Sequence, residues 1–181
     1  MSHESKTFPW YALQVRPRYE RIVASALVTK GFEGFLPIYR NKSRWTDRIK
    51  EIELPLFPGY VFCRFEANRR LPIVTTPGVL RIVGAGKALL AVDDAEIAAL
   101  QSIVISRLQA EPWPYLCAGE RVIIDRGALA GVEGIVIDAK DNARLVVSVS
   151  LLQRSVAVEI DESWVSPASG SLLKSQTASS N

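Results

Sequence analysis

Histidine is almost absent from this 181-residue chain, with His3 alone near the N-terminus. That scarcity removes the commonest general base and the commonest metal ligand. Cysteine is nearly as rare. Cys63 and Cys117 lie far apart, Cys63 within an apolar run, and no Cys-x-x-Cys pair occurs, so two buried free thiols are expected and a zinc site is not. No apolar run reaches the ~20 residues that span a bilayer, and MSHESKTFP lacks the apolar centre of a secretory signal. The expectation is a cytoplasmic protein with no membrane segment. Neither a Gly-rich loop opening onto a helix nor a nucleophile elbow is present. Gly84-Ala85-Gly86-Lys87 lacks the spacing and the following Ser/Thr of a phosphate loop and reads as a turn. Asp93 and Asp94 suit a helix cap better than a metal. The chain therefore reads as a binding protein rather than an enzyme, with no cofactor and no metal.

What the sequence does contain is ordinary in amount but uneven in arrangement. Hydrophobic residues make up 48% and charged residues 23%, the composition of a globular protein. Residues 1–70 hold 13 Lys/Arg against 7 Asp/Glu, a net of +6, while residues 71–181 hold 9 against 12, a net of −3. The first half is the candidate for phosphate contacts. Within it, Arg16, Arg18 and Arg21 cluster where a strand hands over to a helix, and Arg40, Lys42, Arg44 and Arg48 decorate a hairpin that also carries Trp45. Guanidinium groups neutralise phosphates and an exposed indole can stack on an unpaired base. The same residues also suit a solvated basic edge with Trp45 against its own sheet.

Periodicity organises the rest. Trp10–Val15 reads as a strand ended by Pro17, Tyr19 to about Lys30 as a helix stopped at Gly31, and Phe35–Tyr39 as a strand leading into the hairpin that returns through Ile49–Leu54. After Arg69–Thr75, a short helix or loop, Pro77-Gly78 turns the chain into a strand at Val79–Val83. A helix follows, capped by Asp93 or Asp94 with Glu96 in capping-box position and Ile97, Leu100, Val104 and Leu108 along one stripe. Glu111-Pro112-Trp113-Pro114-Tyr115 supports neither a helix nor a central strand, which suggests a linker at 109–116. Short β-branched runs at Arg121–Asp125, Gly134–Asp138, Arg144–Ser150 and Val156–Ile160, with Trp164-Val165, then suggest a small barrel, followed by a disordered tail at 167–181.

One segment stands apart. Pro55-Leu56-Phe57-Pro58-Gly59-Tyr60-Val61-Phe62 places three rings around a Pro-Gly turn and then enters an apolar strand. In that strand Tyr60 and Phe62 face one side and Val61, Cys63 and Phe65 the other. Both faces are apolar, so one can lie on the domain's own helices while the other needs a second cover, from the chain or from a partner. Phe57 and Tyr60 either close a core or border a partner surface.

The glycine-spaced run Gly119–Ile137 resembles a KOW motif. Together with Trp10-Tyr11, Phe57-Pro58-Gly59-Tyr60 and Thr76-Pro77-Gly78-Val79 in this order, the chain resembles the NusG family over about residues 8–166. The compact Arg16-Pro17-Arg18, Pro55-Leu56-Phe57-Pro58, the basic Arg44–Arg48 segment and Leu151–Val156 are similar to its specialised RfaH-like and UpxY-like members, antiterminators of polysaccharide operons. The resemblance implies an α/β NGN domain at 8–108, an antiparallel sheet flanked by helices, joined by a flexible linker at 109–116 to an all-β SH3-like KOW barrel at 117–166. It implies a monomeric transcription elongation or antitermination factor that docks on the clamp helices of RNA polymerase and reduces pausing or termination. It implies polymerase contact by Trp10, Tyr11, Phe57, Pro58, Gly59 and Tyr60, with Arg69 and Arg70 near the gate-loop position, where the threonine-rich contact of RfaH is not reproduced. Contact with non-template DNA falls to Arg16, Arg18, Arg21, Arg40, Lys42 and Arg44. A KOW partner such as ribosomal protein S10 or Rho falls to Leu151, Leu152 and Arg154. A KOW motif also occurs in ribosome- and RNA-associated proteins, which is the competing expectation.

Overall fold

The computed structural model describes residues 7–44, 48–139 and 142–168. In chain order the first half contains β1 (Trp10–Val15), α1 (Glu20–Thr29), β2 (Glu33–Phe35), β3 (Ile38–Arg44), β4 (Ile49–Pro55), β5 (Tyr60–Arg64), α2 (Leu71–Val74), β6 (Val79–Ile82), β7 (Gly84–Ala85), β8 (Ala88–Leu89) and α3 (Asp94–Ser106). The second half contains β9 (Ala110–Trp113), β10 (Arg121–Ile124), β11 (Glu133–Ala139), β12 (Asn142–Val149), β13 (Arg154–Glu159) and β14 (Val165–Pro167).

A four-stranded antiparallel sheet of order β2-β5-β1-β6 forms the N-terminal unit. Alternation along β1 sends Tyr11, Leu13 and Val15 to one face and Trp10 and Ala12 to the other. On the first face α1 covers the sheet with Val23 and Leu27, against Val61, Cys63, Phe65 and Ile73. On the second, Trp10, Ala12, Phe57 and Phe62 pack in one cluster with Ile97, Leu100 and Ile103 of α3. The expected strand at Phe35–Tyr39 is divided by Leu36-Pro37, because Pro37 has no amide to donate and its carbonyl instead accepts from Leu56 N at 2.9 Å. β3 and β4 form a separate two-stranded ribbon.

Asp93 caps α3 by accepting from Ala95 N at 2.8 Å. Glu96 does not close the expected capping box: its carboxylate accepts from the backbone N of Ser150, at 3.0 Å, in the second unit. The helix ends at Ser106, two residues before the expected stripe runs out, with Arg107 as its C-cap in the left-handed region, φ 57°.

The C-terminal unit is a six-stranded antiparallel sheet of order β14-β10-β11-β12-β13-β9. Its interior is aliphatic, with Val122, Ile124, Leu129, Leu145, Val147, Val156 and Val158 buried. The stretch expected as a free linker is here a strand, since Ala110–Trp113 pairs with Ser155–Val158. The position explains it: β9 lies at the sheet edge, where Pro112 removes no ladder bond needed by a further neighbour. Arg144 fastens it, paired with the Glu111 carboxylate and lying 5.4 Å from the Trp113 ring centroid, with Glu159 at 3.8 Å. At the other end the ordered chain extends past the expected boundary, as Pro167 pairs with Val122 and Ala168 N donates to Arg121 O. The rest of the expected tail, 169–181, lies outside the described residues.

Candidate functional site

Phe57–Tyr60 closes a tight turn in which Tyr60 N donates to Phe57 O at 3.0 Å. Pro58 supplies the fixed φ of position i+1, and Gly59 takes φ 83° at i+2, where a Cβ would be strained, so the turn is type II. Three bonds tie it down. Val15 N donates to Gly59 O at 2.9 Å, and Gly59 N donates to Glu20 Oε1 at 2.9 Å. The third is the turn's own.

Its rings do different jobs. Phe57 is 1% exposed and meets Phe62 edge-on at 5.7 Å, so its ring is core. Tyr60 is half-buried at the rim, and the guanidinium of Arg154 lies 5.2 Å from its centroid. Leu151 and Leu152, just before β13, pack against the same apolar cluster. The second cover that the sheet face needs thus comes from α3 and the C-terminal unit. Between α3 and that unit lies an open cavity of about 610 Å³ lined by Glu96, Ser102, Cys117, Arg121 and Glu133 among others.

The other expected polymerase-facing residues do not converge. Trp10 is buried in the cluster that holds Phe57, edge-on to Phe35 and with Arg64 over its ring, whereas Tyr11 points to the α1 face, 4.6 Å from Phe65; the two rings cannot line one pocket. Arg69 and Arg70 are exposed but follow the far end of β5 from the turn, Arg69 lying over Phe32.

The cationic residues separate by their neighbours. Arg21 is ion-paired with Glu53 at 2.9 Å, and the register sets Arg40 opposite Glu53 and Lys42 opposite Glu51. The ribbon nevertheless stays basic, with Arg40, Lys42, Arg44 and Lys50 against Glu51 and Glu53 alone. Arg44 closes β3 in backbone register with Ile49, while its side chain and Trp45 lie outside the described residues. Arg16 and Arg18 are exposed, Arg18 at φ 69°, and among the described residues no carboxylate pairs with either. Sequence reading missed two neighbours of this corner. Arg81 donates from Nε to Gln14 Oε1 at 2.7 Å across the β1–β6 pair, a placement that only the strand pairing reveals. Glu20 is 6% exposed, and its place in the first turn of a helix gave no hint of burial.

Burial pushes the Cys63 thiol up to about 12, with Glu33 adding to it, so this thiol stays protonated, whereas Cys117, expected to be buried, is exposed. Among the described residues no group of three His, Cys, Asp or Glu could hold a metal ion, and no helix is long and apolar enough to cross a membrane.

The architecture defines the class: an α/β unit and an all-β unit sharing one apolar cluster, with an aromatic turn and an arginine corner on the first. A family model described as transcription termination factor nusG matches residues 8–101. The transcription termination/antitermination protein NusG of Buchnera aphidicola subsp. Acyrthosiphon pisum (strain APS) is 28% identical over 178 residues, covering 88% of this chain and 96% of that protein. A solved chain described as "Domain interaction in Thermotoga maritima NusG" aligns with 88% of this chain and 96% of its own length at TM-score 0.54 and 21% identity, a likeness of fold. The chain belongs to the NusG family.

Proposed function

We propose that this protein is a non-enzymatic transcription elongation and antitermination factor that binds the clamp helices of RNA polymerase through its N-terminal unit and reduces pausing or termination. The observation that carries the reading is the rigidly framed turn whose half-buried Tyr60 sits at the rim of an aromatic core. Binding of this kind needs no chemistry. A factor that bridges the polymerase cleft favours the elongating state by no more than its differential affinity for that state. Because Arg154 and the Leu151-Leu152 segment lie against the same rim, polymerase and a C-terminal partner such as ribosomal protein S10 or Rho compete with the contact between the two units. An operon-specific role fits the uncompensated Arg16 and Arg18 beside Arg81, a corner suited to the phosphates of non-template DNA.

The test is co-purification with core RNA polymerase. Tyr60→Asp, at a rim position, is expected to lower retention at least about tenfold, the loss that accompanies a buried charge with no partner. Retention equal to wild type would overturn the docking reading. The competing role, a ribosome- or RNA-associated KOW protein, requires the C-terminal unit to attract phosphate. Residues 109–168 hold 5 Lys/Arg against 9 Asp/Glu, which disfavours it.

A further inference from the structure

Glu20 is the one charged side chain buried among the described residues. A buried carboxylate is costly unless hydrogen-bonded, and the bond it makes is with the amide of Gly59 at 2.9 Å. That amide belongs to the central peptide of the Phe57–Tyr60 turn. Types I and II differ by a flip of this peptide, which also changes the sign of φ at position i+2. An acceptor fixed on the Gly59 N–H selects the orientation seen here, with Gly59 at φ 83°.

Glu20 is placed to do this by its own neighbours. Val15 N donates to Gly59 O, Arg16 N donates to Gly78 O at 2.8 Å, and Tyr19 N donates to Arg16 O at 3.0 Å. The chain from Val15 to Glu20 is thus tied to both Pro-Gly turns, and it carries Arg16 and Arg18 between those ties. We propose that Glu20 is a positioning residue that locks the Pro58–Gly59 peptide, holding Tyr60 at a fixed departure angle and in register with the Arg16–Arg18 corner. This role rests on the docking reading above. A buried carboxylate beneath the docking turn then controls how the surface is presented.

The experiment uses the full chain and two readouts. In the free protein, amide hydrogen exchange at Gly59 is measured by NMR against flanking amides of β1 and β5. Glu20→Ala is expected to raise Gly59 exchange about tenfold over those flanks and to lower polymerase retention about tenfold, the scale of losing a bond to a charged acceptor. Glu20→Gln keeps an acceptor oxygen and restores most of both. Glu20→Asp, one methylene short, carries the same expectation at smaller amplitude if the alanine variant does not fold. The role is overturned if Gly59 exchanges no faster than its flanks, if Gln is as defective as Ala, or if Glu20→Ala binds like wild type while Tyr60→Asp does not. Wild-type binding by Tyr60→Asp would overturn docking and this role together, and the exchange result would then report the peptide lock alone.

Discussion

The two units solve the same packing problem with different materials. In the N-terminal unit the largest fully buried side chains are rings, Trp10, Phe57, Phe62 and Phe65. The C-terminal unit buries valines, leucines and isoleucines and no phenylalanine. A ring has few rotamers and a specific contact geometry, so a core of rings fixes the direction of the turn built upon it. β-branched residues instead fit the pleated surface of strands, and the ladders set their positions. The polar wiring differs likewise: one buried carboxylate ties a turn to a helix in the first unit, and a single arginine, Arg144, fastens an edge strand in the second. Surface presentation is thus a property of the N-terminal framework, and closure is a property of the C-terminal one.

That contrast can be broken most directly at Phe57. Phe57→Ala should cost about 3–5 kcal/mol in urea unfolding, as for other fully buried phenylalanines; a cost under about 1 kcal/mol would mean that the ring does not frame the turn. A smaller effect is expected where the units meet. A double-mutant cycle on Arg154→Ala and Tyr60→Ala should give a coupling of about 0.5–1 kcal/mol, the range of an exposed cation–π pair, and zero coupling would separate the two units at this rim. The smallest effect concerns acid. The Ser166 hydroxyl, with Arg126, holds the Asp125 carboxyl below its ordinary value, and the Ser163 amide does the same for Asp161. Carboxyls lowered in the folded state stabilise it above the usual carboxylate range and lose that contribution as pH falls through the lowered values. Amide signals of β14 and β10 should therefore hold steady through the usual carboxylate range and change only at lower pH, and a change within that range would count against the assignment.

Much of this architecture was legible from spacing. β1, α1, the β3–β4 ribbon, α3 and the C-terminal strands follow from periods of two and 3.6 and from glycine and proline punctuation. The failures share a cause, namely tertiary placement. Glu111-Pro112-Trp113 reads as a breaker because sequence does not reveal which strand will be an edge. Glu96 fits a capping box, yet its partner, Ser150, comes from a different unit. Trp10 and Tyr11 look like one aromatic pair, but strand alternation divides them. The hairpin reads as evenly cationic, whereas its register sets Glu51 and Glu53 opposite Lys42 and Arg40 and leaves Arg44 and Lys50 in excess.

The edge strand β9 also sets how far the second unit can travel. With Ala110–Trp113 bound to β13, the stretch between α3 and the C-terminal sheet shrinks to Arg107–Gln109. A tether that short holds the Leu151–Arg154 segment near Tyr60 at an effective concentration on the order of millimolar. At such a concentration even a weak contact is occupied much of the time, and a competitor in solution must outbid proximity rather than affinity.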